Sequence, residues 1–249
     1  MLIASFTRKV LNIVLISIMM VSMSGCAEPE LETFTTDDRP VELPRYYRGH
    51  RAAFMGDSIT ELWNKEDSGH PDFFDRNDYL NKGISGQTTT EMILRFKRDI
   101  LDDDPGCVVI CAGTNDFAGN GGWSRTPDEV FANLKVMVEM ADRMDIPVLM
   151  CSVLPVYQYN WNLSVEPAEM IVTLNAMIKE YAVANGHTYV DYWTPLADER
   201  KGLPDRYSYD GVHPTKEAYV VMEGIIRPAI NAVLGTAASY QEYMSGTGL

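Results

Sequence analysis

The sequence predicts an α/β fold, a three-layer α/β/α sandwich around a mainly parallel five-stranded sheet. Three observations carry this expectation. Five short apolar runs are spread along the chain, helix-like amphipathic stretches stand between them, and segments rich in Gly, Ser, Asn and Asp follow the runs. Apolar runs without polar alternation are expected of strands buried on both faces, as in parallel sheets. Alternating strands and helices imply right-handed crossovers, which put helices on both sides of the sheet. With 249 residues, 46% of them hydrophobic, the chain suits one domain with a full core, and no internal repeat is visible.

Arg8 and Lys9 precede the apolar stretch Val10 to Val21, and Met23-Ser24-Gly25-Cys26 follows. A charged start, a short apolar core and small residues before a cut site describe a secretory signal peptide over residues 1–25. The apolar run is shorter than the roughly 20 residues a transmembrane helix needs. The four residues ending at Cys26 resemble the lipobox of bacterial lipoproteins, with Met23 where Leu is usual. That resemblance implies lipidation of Cys26, and an exported, membrane-anchored protein at the periplasmic or cell-surface face. Residues 26–44 are polar, acidic and proline-containing (Pro29, Pro40, Pro44) and read as a tether. The folded domain is expected over residues 45–235 and a polar tail over 236–249.

Cleavage before Cys26 removes two positive charges and no acids, taking the formal charge from −14 to −16. That balance argues against nucleic acid, whose phosphates attract basic surfaces. It argues equally against electrostatic docking on anionic lipid.

The predicted strands are Arg51 to Met55, Tyr79 to Lys82, Cys107 to Ala112, Pro147 to Val153 and Thr188 to Val190. Between them, Thr89 to Leu101 places Met92, Ile93, Phe96 and Ile100 on one helical face. Thr126-Pro127-Asp128-Glu129 reads as a capping box with Pro at the first helical position, opening a helix that carries Val130, Leu134, Met137 and Ala141. Pro167 to Ala184 and Thr215 to Leu234 complete the helical series. Cys107 and Cys111 are about 13 Å apart at strand rise, beyond disulfide reach, so these thiols are expected to be buried hydrophobes. A Cys111–Cys151 bridge is left open.

In an open parallel sheet, ligands gather at the carboxyl ends of the strands. The first strand ends on Gly56-Asp57-Ser58, three turn-forming residue types in succession. They make either an ordinary turn or a mount for Ser58 as a nucleophile, which requires a base and an electrophilic pocket. Of four histidines, His50, His70 and His187 lie in loops or at a strand start, whereas His213 sits in "YDGVHPT" with Asp210 three residues ahead. A neutral His accepts a serine proton while a carboxylate fixes its tautomer, although Asp-x-x-His alone equally describes a capped helix start. Oxyanion donors are available from backbone N–H groups in "NKGISGQTT", including Gly86, and from the Asn115 amide in "AGTND".

In order along the chain, "GDSIT", "NKGISGQ", "GTND" and "DGVHP" resemble the four blocks of the SGNH, or GDSL-type, esterase and lipase superfamily. The stretch from "GISGQ" to "GTND" is most similar to its platelet-activating-factor acetylhydrolase-like branch. The resemblance implies a flavodoxin-like SGNH hydrolase fold, with Ser58 as nucleophile, His213 as general base and Asp210 orienting it. It further implies an oxyanion hole built from the Ser58 and Gly86 N–H groups and the Asn115 side chain. Asp116 follows the family's pattern without an assigned role. The activity implied is serine esterase cleavage of small acyl groups, acetyl foremost, through an acyl-enzyme. The substrate is expected to be a small ester such as an acetylated glycan. A lysophospholipase or thioesterase with the same triad is the alternative.

No cofactor and no metal are expected, because four scattered histidines and three buried thiols do not make a ligand cluster. A glycosidase needs two facing carboxylates, and Asp102-Asp103-Asp104 before a Pro-Gly pair reads instead as a solvated loop. A non-catalytic carbohydrate-binding lipoprotein is the rival of another class, and an intact triad speaks against it. Tyr157, Tyr159 and Trp161 in "PVYQYNWN" follow the fourth strand and are candidate substrate contacts, or else simply cover the sheet edge. Oligomeric state is not legible.

Overall fold

The computed structural model describes residue 49 and residues 51–235 except 68. The expected signal peptide, the expected tether with Cys26, His50 and the expected polar tail lie outside the described residues. Five strands form one sheet in the order β2-β1-β3-β4-β5, comprising β1 (Ala52–Gly56), β2 (Leu80–Gly83), β3 (Cys107–Cys111), β4 (Val148–Cys151) and β5 (Thr188–Val190). Every pairing is parallel, so the sheet is wholly rather than mainly parallel. The order is that of flavodoxin-like sheets, which reverse direction between β1 and β3 and open a crevice there.

Side-chain alternation divides the core into two layers. Ala53 and Met55 of β1, Val108 and Ile110 of β3, and Val148 and Met150 of β4 face α3 (Thr89–Asp99), α5 (Pro127–Asp142) and α6 (Pro167–Ala184). Their neighbours Ala52, Phe54, Cys107, Val109, Cys111, Leu149 and Cys151 face α1 (Ser58–Trp63), α2 (Asp72–Asn77) and α8 (Lys216–Leu234). Both layers are well covered, with Phe96, Met92, Tyr219 and Met222 fully buried. The three cysteines are free thiols in the second layer, so the Cys111–Cys151 bridge is not formed.

The long helices begin where the sequence places them. Thr126 accepts from the Glu129 N–H at 3.3 Å and Glu129 closes the capping box before α5, while Thr215 caps α8. Four short helices escape the sequence patterns: α1, α2, α4 (Thr114–Ala118) and α7 (Trp193–Leu196). None exceeds six residues, too few for a 3.6-residue period to declare itself. Leu101–Asp103 is one 3₁₀ turn, and its acids pair outward, Asp102 with Lys97 at 2.5 Å and Asp103 with Lys82 at 2.6 Å. It is therefore the solvated loop expected.

α1 is seated by an aromatic cluster. Trp63 stacks on Phe73 and on Tyr219, with centroids 5.1 Å apart in both pairs, and donates from Nε1 to Glu223 at 3.1 Å. Tyr219 of α8 donates its phenol to the Ile59 carbonyl of α1 at 2.8 Å. The helix that follows His213 is thereby fixed to the helix that opens on Ser58.

Candidate active site

Four loops meet at the carboxyl edge of the sheet, around the crevice beside β1. The first carries Ser58 at the opening position of α1. Asp57 caps that helix by accepting from the Ile59 N–H at 2.9 Å, which turns the chain sharply out of β1. Gly56 and Gly83 let α1 press on the strand ends, since a Cβ on Gly56 would lie 2.0 Å from Thr60 Oγ1 and one on Gly83 2.2 Å from Glu61 N.

The last loop carries His213 and Asp210. His213 Nε2 stands 3.0 Å from Ser58 Oγ, and its Nδ1 2.6 Å from Asp210 Oδ2. Asp210 Oδ1 accepts from the Val212 and His213 N–H groups at 2.9 and 2.8 Å and from Ser208 Oγ at 3.1 Å. Burial alone would raise the Asp210 carboxyl; the His213 ring and these backbone donors outweigh it and hold it well below the usual carboxylate range. The hydrogen bond that His213 Nδ1 donates to Asp210 raises the imidazole above its ordinary value of 6.5, against the opposing effect of burial. Asp57, fully buried beneath the serine, is pushed up to about 6 by desolvation.

The second and third loops bring donors. Gly86 adopts a φ of 79°, a backbone conformation that glycine tolerates without strain. Its loop is strapped to α1, because Glu61 Oε2 accepts from both the N–H and Oγ of Ser85 at 2.7 Å. Asn115 in α4 donates one Nδ2 hydrogen to the Gln87 carbonyl at 3.1 Å. Asn120 Nδ2 reaches Asn115 Oδ1 at 2.8 Å and the Gly86 carbonyl at 3.2 Å, so one side chain joins both loops and fixes which way the Asn115 amide faces. The second Asn115 Nδ2 hydrogen and the Ser58 and Gly86 N–H groups have no acceptor among the described residues. Three uncommitted donors beside a serine and a histidine are what an oxyanion requires.

The sequence and the fold have counterparts among known proteins. A model of the GDSL-like lipase/acylhydrolase family matches residues 54–221. The chain belongs to the GDSL-like lipase/acylhydrolase family. Its members are carboxylic ester hydrolases. A GDSL-like lipase from Bacteroides thetaiotaomicron VPI-5482 is 43% identical, with a TM-score of 0.70 over 74% of this chain and 88% of that one. A catalytic mutant of Axe2, an acetylxylan esterase from Geobacillus stearothermophilus, shares the fold at 20% identity and a TM-score of 0.59, over 74% and 94% of the two chains. A Bacillus subtilis (strain 168) lipoprotein of uncharacterised function, YqeF, is 36% identical over 85 residues, 33% of this chain and about a third (35%) of that relative's length.

In this GDSL-type hydrolase, Asp116 is a brace. Wholly buried, it accepts from the Thr89 N–H at 2.9 Å and Thr89 Oγ1 at 2.6 Å, and Arg125 stands 3.5 Å away. It thus binds α4 to the start of α3. The three aromatics of the Val156 to Trp161 segment part company. Tyr159 is corrected from a substrate contact to a buttress. It is fully buried, and its phenol bonds the Thr114 carbonyl at 2.9 Å and Thr114 Oγ1 at 3.0 Å, under the helix that carries Asn115. Tyr157 is half exposed with the Arg200 guanidinium 5.5 Å above its ring. Trp161, also half exposed, lies between Asn160, which donates to the Asp210 carbonyl at 3.0 Å, and Asn162, which donates to the Ala118 carbonyl at 2.9 Å.

The remaining histidines stand apart. His70 pairs with Glu223 at 3.0 Å, and His187 lies 3.5 Å from Asp142 in a cavity of about 380 Å³ at the amino-terminal sheet edge. Among the described residues no three His, Cys, Asp or Glu side chains are grouped to hold a metal, and no helix is long and apolar enough to cross a membrane.

Proposed function

We propose that this protein is a serine esterase that removes small acyl groups, acetyl foremost, from an alcohol such as an acetylated carbohydrate. The observation that carries the reading is the continuous relay from Ser58 Oγ through His213 to Asp210, at 3.0 and 2.6 Å. Ser58 Oγ attacks the acyl carbonyl as His213 Nε2 takes its proton. The oxyanion is received by the Ser58 and Gly86 N–H groups and the Asn115 amide. The C–O bond to the alcohol then breaks, with Nε2 returning the proton to the departing oxygen. Water deacylates Ser58 by the same relay.

The acetyl preference is supported by the fold shared with an acetylxylan esterase. The test is kcat/KM across p-nitrophenyl esters from acetate to octanoate, with Ser58→Ala beside the parent. We expect the highest value at acetate, a fall with chain length, and loss of turnover in Ser58→Ala with an unchanged circular dichroism spectrum. A rise through octanoate would favour the lysophospholipase alternative, because each buried methylene adds about 0.8 kcal/mol of binding.

The anchoring reading is part of the same proposal. It rests on the lipobox-like residues before Cys26 and on the name of the Bacillus relative. Globomycin or Cys26→Ala should block maturation and release the protein from the membrane fraction, and unaltered fractionation would remove the anchor.

A further inference from the structure

Arg95 is a buried cation in the second turn of α3, and it has no part in the relay or among the oxyanion donors. Its Nη2 donates to the Gly56 carbonyl at 3.1 Å and its Nη1 to the Lys82 carbonyl at 2.8 Å, so one guanidinium ties the carboxyl ends of β1 and β2 together. Its Nε donates to Gln87 Oε1 at 2.5 Å. Asp99 Oδ2 accepts from Nη1 at 3.1 Å and balances the charge. We propose that Arg95 is a positioning residue for the oxyanion hole, setting the spacing between the turn that carries Ser58 and the loop that carries Gly86. The proposal rests on the esterase reading and adds to it a residue that acts only through others.

The connections are short on both sides. Gly56 stands two residues before Ser58, and its carbonyl also accepts from the Ile84 N–H at 3.2 Å, two residues before Gly86. Gln87 follows Gly86, and its own carbonyl accepts from the Asn115 amide at 3.1 Å. The Gln87 bond to Arg95 therefore fixes the residue that borders one oxyanion donor and holds another. α3 is also the element that braces α4, because Asp116 accepts from the Thr89 N–H at 2.9 Å. The helix of Asn115 and the strand end before Ser58 thus share one reference, and Arg95 is the polar contact that brings the strand end to it.

The chemistry of the side chain suits this role. A guanidinium presents its donors in a fixed planar fork, so acceptors on two strand ends and a loop are held at set angles at once. Lysine carries the same charge as a point on a flexible stem and cannot reproduce that fork. A buried cation adds little net stability once its desolvation is counted, and an apolar side chain of similar volume often does as well. What the fork supplies is geometry. Oxyanion donors act by being in place before the reaction, and a misplacement of about 1 Å can cost about 10²-fold in rate.

The experiment measures kcat and KM of the full chain on p-nitrophenyl acetate, together with melting temperatures, for the parent, Arg95→Lys, Gln87→Leu and Gln87→Glu. Arg95→Lys should lower kcat by about 10–10²-fold with KM within about twofold of the parent. Gln87→Leu cuts only the link from Arg95 to the loop and should lower kcat by about fivefold at an unchanged melting temperature. Gln87→Glu keeps an acceptor for Arg95 Nε and should recover most of that loss. If Arg95→Lys does not fold, the two Gln87 variants carry the test by themselves. Full kcat in Arg95→Lys or Gln87→Leu, equal losses in Gln87→Leu and Gln87→Glu, or a rise in KM at unchanged kcat would overturn the positioning role, while turnover by the parent left the esterase reading intact. No hydrolysis by the parent would overturn both readings together.

Discussion

Asn115 and Asn120 divide one task between them. In the proposed mechanism Asn115 presents a hydrogen to the developing oxyanion, and Asn120, through two bonds from one amide, decides where that hydrogen points. Losing a single oxyanion donor costs about 10²–10³ in kcat, roughly 2.7–4 kcal/mol, so Asn115→Ala should fall in that range with KM little changed. Asn120→Ala should lower kcat by a smaller factor, and adding it to Asn115→Ala should cost almost nothing more, because its effect acts through the missing amide. Additive losses in the double variant would separate the two residues. The relay makes its own prediction. Only neutral imidazole accepts the serine proton, and Asp210 raises the His213 ring above 6.5. The acid limb of kcat/KM should therefore have its midpoint above 6.5, and Asp210→Asn should move it down while lowering kcat on the order of 10³–10⁴-fold. A limb that stays in place would show that Asp210 does not govern the ring.

At the scale of elements, the Tyr219–Ile59 hydrogen bond joins α8 to α1 and so holds His213 against Ser58. Tyr219→Phe keeps the stack on Trp63 but removes one buried hydrogen bond, which should cost about 0.5–1.5 kcal/mol of stability. A fall in kcat at unchanged KM should accompany it, whereas full kcat at a lowered melting temperature would reduce the contact to packing. Neither this bond nor the Asn120 bridge was legible in the sequence, for the same reason. Both join residues far apart in the chain, or use an Asn in a Gly-Asn-Gly run that reads as loop. The five strands and four long helices were legible because burial on both faces and a 3.6-residue period leave marks in composition. Ser58, Gly86, Asn115, Asp210 and His213 stood out because each follows a strand or precedes a helix at one sheet edge. Tyr159 misled for a physical reason: a tyrosine among loop residues looks exposed until its phenol finds the Thr114 carbonyl.

For the molecule as a whole, a buried acid under the site makes folding depend on pH. Asp57 titrates at about 6 when folded, from an ordinary 3.8, because burial disfavours its charged form. Between those two values the folded chain holds a proton that the unfolded chain has lost, so the stability tied to this group is full below about pH 4 and is lost as pH rises through about 6. At about 1.4 kcal/mol per unit the cost is roughly 3 kcal/mol at pH 7. Asp57→Asn keeps an acceptor for the Ile59 N–H but cannot ionise. The melting temperature of the variant relative to the parent should rise by about 5–10 °C between pH 4 and pH 7. A difference that stays constant over that range would mean the carboxyl is solvated.

The 155 residues that separate Ser58 from His213 have a consequence in time. The nucleophile leaves the ribosome early and its base almost last, on the approach to the helix whose Tyr219 locks onto the first. Until that helix docks, the nascent chain carries a serine with no acceptor for its proton, and it is chemically indistinguishable from any other exposed hydroxyl. Completion of folding is the step that arms the enzyme.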